Sequence, residues 1–467
     1  MTAGKMLRTV FCIILALSMI LSFTACKGAE KPGKSDSDTQ KPATEEKKEE
    51  EQPKQTPAPE EEKAELTFLH YYTDTNRSAE AEAFRQAVKK YKDENPNITL
   101  TEDATADAID QKIRILGSAN ELPDIYLSKY DTLSSFVQSG QAQPLDPFLD
   151  EDPEWKDNFL PGVLEEHVID GKHYAIPIRQ HINNVVYYNK GILKEAGYES
   201  FPATYEEFKK MVVAIKNKGY IPIILGNKDK WPGESCLFNT IAHKFTGADF
   251  VDRLLKGQAK FTDEPFIKAG QVVRELYDIG AFNKNVNSVN NDYAQAQFLD
   301  RKAAMYIEGS WAVGIVNRDD PKKVIAETDV AFFPEFDTGV QPGIIAFAVG
   351  WGNVLNAKVK EGPKLNAALK LLKALSSKEY GTTMAELGSN PVVKTNPIDE
   401  SKLHPLAVNL KNNILAKYTP APVYDVILPA PVSDALYTGF QELLIGVKTP
   451  QQYAEMVQKE MEPFQKK

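Results

Sequence analysis

Short apolar runs alternate with amphipathic stretches from residue 65 onward. ELTFLHYY (Glu65 to Tyr72) is β-prone and opens the series. Behind it Phe84, Val88 and Tyr91 recur at helical spacing, and the pattern stops near ENPN. ITLTE reads as a second strand, and ELPDIYLS, entered through a proline turn, as the strand after another helical segment. Strands alternating with helices predict an α/β fold with a largely parallel sheet. Ligands of such sheets sit beyond the carboxyl ends of the strands, where this reading puts His70, Tyr71, Tyr72, Asp124 and Tyr126.

The pattern changes at DGKHYAIPIRQHINNVVYYNK, where a polar patch separates the strands HYAIPI and NVVYYN. That break predicts a crossing between two domains. The helix of PATYEEFKKMVVAIKNKGY starts with Thr204 as N-cap and Glu207 three residues on, the pattern of a capping box. IPIILG is the next strand, with NKDKWPGES as the loop at its carboxyl end. KAAMYIEG, VAFFPEF and GIIAFAVGWGNVLN are further strands, followed by the helix KLNAALKLLKALSS and a helical C-terminal region. One of these strands ends in Gly309-Ser310 and then presents Trp311, an indole that could serve core packing or a ligand platform. No internal repeat recurs at a fixed period.

With 467 residues, the chain can build two or more cores. A net charge of −10 without a basic stripe argues against nucleic acid as partner. The N-terminus carries Lys5 and Arg8 ahead of VFCIILALSMILSFTA, about fifteen apolar or small residues, short for a spanning helix and suited to a signal h-region. Thr24 and Ala25 before Cys26 resemble a bacterial lipobox, with Phe23 where leucine is usual. This implies a signal peptide over 1–25 and acylation of Cys26; the alternative is an uncleaved anchor. Residues 26–63 hold no aliphatic residue larger than alanine, so they predict a disordered tether outside the cytoplasm.

The chemistry of a catalyst is not evident. The sequence contains no GxxxxGK[ST], HExxH or GxSxG. The six histidines are dispersed, and three cysteines without CxxC spacing suggest neither zinc nor a disulfide framework. DTNRSAE from Asp74 starts like a calcium loop, but Ala79 stands where glycine is required. No metal and no cofactor is expected, and Cys236 reads as a small buried hydrophobe.

LTFLHYY, DGKHYAIP, NVVYYNKGILKEAGYESFPATYEEF, RKAAMYIEGSWAVG and GWGNVLN occur in this order behind the lipobox. Together they resemble the family 1 extracellular solute-binding proteins, the sugar-binding subunits of ABC importers. The resemblance runs from Leu66 to the C-terminus. It implies a two-lobed periplasmic-binding-protein-like α/β fold, with the ligand cleft between lobes joined by hinge segments. Lobe one would comprise 65–179 plus 346–393, and lobe two 184–343 plus 396–467. It also implies a monomer that binds a small molecule or oligosaccharide, docks on membrane permease subunits, and is held to the outer face of the membrane by its lipid.

In the family the tryptophan of the GSW-like turn stacks on sugar, a role that falls to Trp311 here. A pyranose offers apolar C–H faces to an aromatic ring and hydroxyls to polar side chains. Trp231 and Trp351, also at strand ends, are the further platform candidates. Tyr72, Asp124, Tyr126, Gln180, His181 and Glu234 are the remaining contact candidates, with Asn239 weaker. Tyr71 and Tyr72 point to opposite faces, and the sequence does not choose between them. Arg179 reads as an ion-pair partner before a ligand contact. Two other readings stay open: an extracellular glycosidase or lyase, and the same scaffold taking a peptide, polyamine or phosphorylated solute.

Overall fold

The computed structural model describes residues 63–465, except 77, 107, 318–323, 404 and 411–418. The expected signal segment, Cys26 and the tether up to residue 62 lie outside the described residues. Two large hydrophobic cores organise the rest, each built on one sheet. The first sheet runs, in order across it, Ile98–Ala104, Ala64–His70, Ile125–Ser128, Gly352–Leu355 and Ala175–Pro177. Ala64–His70 alternates buried and exposed positions at its start and is buried on both faces at its end. Helix Ala79–Glu94 packs beside it through the predicted Phe84, Val88 and Tyr91. The helix begins where the Ser78 hydroxyl accepts the Ala81 N–H, with Glu80 and Glu82 at the positive end of its dipole.

The second sheet runs Thr328–Phe332, Val185–Asn189, Ala303–Glu308 and Ile221–Ile224. Thr204 starts helix Tyr205–Asn217 by accepting the Glu207 N–H at 3.4 Å, while the Glu207 carboxylate takes Lys210. A complete reciprocal capping box forms at Thr449 and Gln452 instead. Between the two cores lies a small third sheet, Thr419–Pro422, Ile344–Ala348 and His181–Ile182. The chain passes from one core to the other through its last two strands.

The sheets are mixed rather than largely parallel. Ala64–His70 runs parallel to both neighbours, but Gly352–Leu355 is antiparallel to Ile125–Ser128 and to Ala175–Pro177. Val185–Asn189 is likewise antiparallel to both of its neighbours. The reversed strands are those entered directly from the crossing sheet. Strands that end at the cleft carry functional residues after their carboxyl ends; strands that start there carry them before their amino ends.

A candidate ligand-binding cleft

One cavity of about 290 Å³ lies where both cores and the crossing sheet meet. Trp231, Trp311 and Trp351 all line it, and each is partly buried. The Trp231 and Trp311 rings stand 6.0 Å apart at 55°. Tyr71 meets Trp351 edge-on at 5.5 Å on the opposite core. Three of the four tryptophans therefore share one opening; Trp155 is buried elsewhere, its indole N–H donating to Ser376 Oγ at 2.8 Å.

Local chemistry fixes each indole. Strand Ala303–Glu308 is buried along its whole length and delivers the chain to the cleft. Its last residue, Glu308, is fully buried and accepts from Tyr306 at 2.7 Å, Asn291 at 2.8 Å and the Gly309 N–H at 3.2 Å. Burial raises its carboxyl pKa against the pull of these donors. The Trp311 ring folds back over Gly309, where any Cβ would fall 2.0 Å from Cζ3. This is why glycine follows the strand. Trp351 is set by a second device: the Glu166 carboxylate accepts the Val349 and Gly350 N–H groups, and His167 Nε2–H donates to the Gly350 carbonyl at 3.0 Å. Gly350 has φ +75°, and a Cβ there would strike the His181 ring at 2.6 Å.

The polar lining is largely paired within the protein. Arg179 ion-pairs with Glu80, both nearly buried, and its guanidinium lies 4.8 Å from the Trp311 ring centre. The second oxygen of Glu80 accepts from Ser389 at 3.3 Å. Lys129 sits 5.1 Å over the Trp351 ring, 3.3 Å from Asp425 and 3.5 Å from Asp110. Burial works against its charge, yet Asp110 and Asp425 hold its pKa above the ordinary lysine value. Asp425 also accepts from Ser235 at 2.7 Å and Tyr437 at 2.5 Å. His181 meets Trp311 edge-on at 5.3 Å, and burial followed by the Arg179 and Lys129 charges keeps it neutral. His181 Nδ1 and Asn183 Oδ1 are buried without a protein hydrogen-bond partner among the described residues. They can receive or orient ligand hydroxyls.

His181 thus joins the three tryptophans, while the other expected contacts lie off the cavity. Asp124 precedes strand Ile125–Ser128 rather than ending it, so it sits at the far end of the sheet, accepting from Thr67 and Lys364. Tyr126 points into the first core, its hydroxyl 3.5 Å from the Gln141 carbonyl. Tyr72 stacks on Phe84 at 4.4 Å, and Tyr71 takes the cavity side. Gln180 donates its side-chain amide to Pro391 O at 3.0 Å. Glu234 is fully buried behind Ser235, its pKa raised by burial and then by Asp425; Asn239 is also sealed. Lys129, Asn183, Ser235, Asn291 and Asp425 line the cavity unforeseen. Lys129 alone carried a usable signal, as the residue just beyond a strand's carboxyl end.

The description of a bacterial extracellular solute-binding protein matches residues 76–382. The chain belongs to that family. Among its relatives, an uncharacterized ABC transporter extracellular-binding protein of Pyrococcus horikoshii is 27% identical over 359 residues, 74% of this chain and 76% of that one. A multiple sugar-binding protein of Streptococcus mutans is 25% identical, covering 71% and 76%. Among solved structures, a chitin oligosaccharide binding protein superimposes with TM-score 0.77 at 26% identity, covering 86% of this chain and 98% of that one. A protein from work on xylan utilization by Caldanaerobius polysaccharolyticus gives 0.76 at 27%, covering 85% and 99%. As an extracellular solute-binding protein the chain works outside the cytoplasm, and no helix among its described residues is long and apolar enough to cross a membrane.

Proposed function

We propose that this solute-binding protein is a lipid-tethered monomer that captures an oligosaccharide and delivers it to the permease of an ABC importer. The observation that carries the reading is the convergence of Trp231, Trp311 and Trp351 on one cavity whose remaining buried donors and acceptors suit hydroxyls. The sugar ligands named for two of the similar proteins support it. Residues 1–25 serve as signal peptide, Cys26 carries the lipid, and 26–63 spaces the body from the membrane. Lobe one comprises 65–179 and 346–393, lobe two 184–343 and 396–467, closing on the ligand as a hinge. No catalytic residue and no cofactor takes part.

Titration with neutral oligosaccharides, followed by tryptophan fluorescence, tests the reading. Binding is expected for at least one glycan class, with the same glycan recovered intact by chromatography. Trp311→Ala is expected to weaken that affinity about ten- to a hundredfold. An unchanged Kd removes the platform, and a cleaved product replaces binding by turnover.

A further inference from the structure

The charged residues lining the cavity are unequal in number and unequal in partnership. Among the described residues of the lining, Glu80, Asp110, Asp292 and Asp425 face two cations, Lys129 and Arg179. Each cation is already held by carboxylates of this chain. Arg179 is bound to Glu80, and Lys129 stands between Asp110 and Asp425. Each also covers one indole, so its position is fixed on two sides. The Arg179 Nε–H, buried without a partner among the described residues, can still donate to a neutral oxygen. The described lining therefore offers hydrogen-bond donors without offering net positive charge. A carboxylate entering it would lose its hydration and meet an excess of like charge.

Building on the oligosaccharide reading above, we propose that the cleft selects uncharged oligosaccharides and rejects uronic acids, with Glu80 and Asp425 as the residues that set this selectivity. They act by cancelling Arg179 and Lys129 rather than by holding the sugar. The same two cations, released, make an anion site. A buried guanidinium or ammonium stripped of its carboxylate is costly, and an incoming carboxylate would relieve that cost.

The test compares xylotriose, triacetylchitotriose and maltotriose with trigalacturonate on the full chain, by thermal shift and calorimetry. The wild type is expected to bind one of the neutral trimers at least about tenfold more tightly than trigalacturonate. In Glu80→Gln the ratio should move about tenfold toward the uronate, and trigalacturonate should raise the melting temperature of that variant. Asp425→Asn, which leaves Asp110 beside Lys129, should move the ratio the same way by less, and serves where Glu80→Gln does not fold. Equal or tighter uronate binding by the wild type overturns the selectivity while leaving the carbohydrate reading intact. Silence toward every trimer overturns both. A neutral-selective wild type whose ratio neither variant moves overturns the assignment to Glu80 and Asp425.

Discussion

Gly309 shows how one missing methyl group can place a binding residue. The Trp311 ring occupies the space a Cβ would need, with Cζ3 and Cη2 at 2.0 and 2.2 Å from it. In Gly309→Ala the indole must leave this position, since neither the ring nor the strand-end backbone can yield by that much. The expected result is an affinity loss approaching that of Trp311→Ala, about tenfold or more, with destabilisation of about 1–3 kcal/mol. Fluorescence titration and urea denaturation measure the two; a variant binding as tightly as wild type would dissociate the glycine from the platform. The tryptophans were marked by the resemblance of the GSW-like turn and by their places at strand ends, which left core packing open, and the structure puts all three on the cavity. Their polar neighbours were not so marked. Tyr72 and Tyr71 differ by one position in register, and only packing against Phe84 decides which turns inward. Asp425 lies more than a hundred residues from Trp311 in a four-residue helix, with no local pattern to mark it.

Among the strands, what the sequence conceals is direction. Ile125–Ser128, Val185–Asn189 and Ala303–Glu308 are buried at every position, so alternation does not reveal which face or end meets the cleft. Placing the end of the third strand at Asp124 rather than Ser128 exchanged one pole of the sheet for the other, and Asp124 for Lys129. The crossings hold a second element-level feature. Ser310 Oγ accepts the Ile182 N–H at 3.2 Å and the Asn390 amide at 3.1 Å, tying the turn before Trp311 to a crossing strand and to the Ser389–Asn390 loop. Ser310→Ala leaves the buried Ile182 N–H unpaired, an expected cost of about 1–3 kcal/mol. A urea midpoint shift at unchanged slope is the expected signature. No shift would mean that the turn is held by the Glu308 network alone.

The hinge closure proposed above would depend on contacts that form only when the two cores approach. Arg114, on a helix of the first core, reaches Asp434, on a helix of the second, at 3.6 Å, and both side chains are substantially exposed. Lys129 and Asp425 span the same gap in a buried setting. An exposed pair contributes little to folding, typically about 0.2–1 kcal/mol, and here that contribution belongs to the closed form alone. Asp434→Ala, which leaves Arg114 its 3.5 Å pairing with the buried Asp131, is therefore expected to leave the urea midpoint nearly unchanged while shifting the unliganded population toward the open form. The apparent affinity should fall by no more than about fivefold, the factor that 1 kcal/mol allows. The effect should shrink at high salt, which screens the pair in the wild type as well. Small-angle scattering of the unliganded variant should give a larger radius of gyration, with the saturated form returning to the wild-type value. A loss of affinity that persists unchanged in high salt would assign Asp434 to the ligand instead, because screening removes a closure contact between exposed charges but not the shape of a filled cleft.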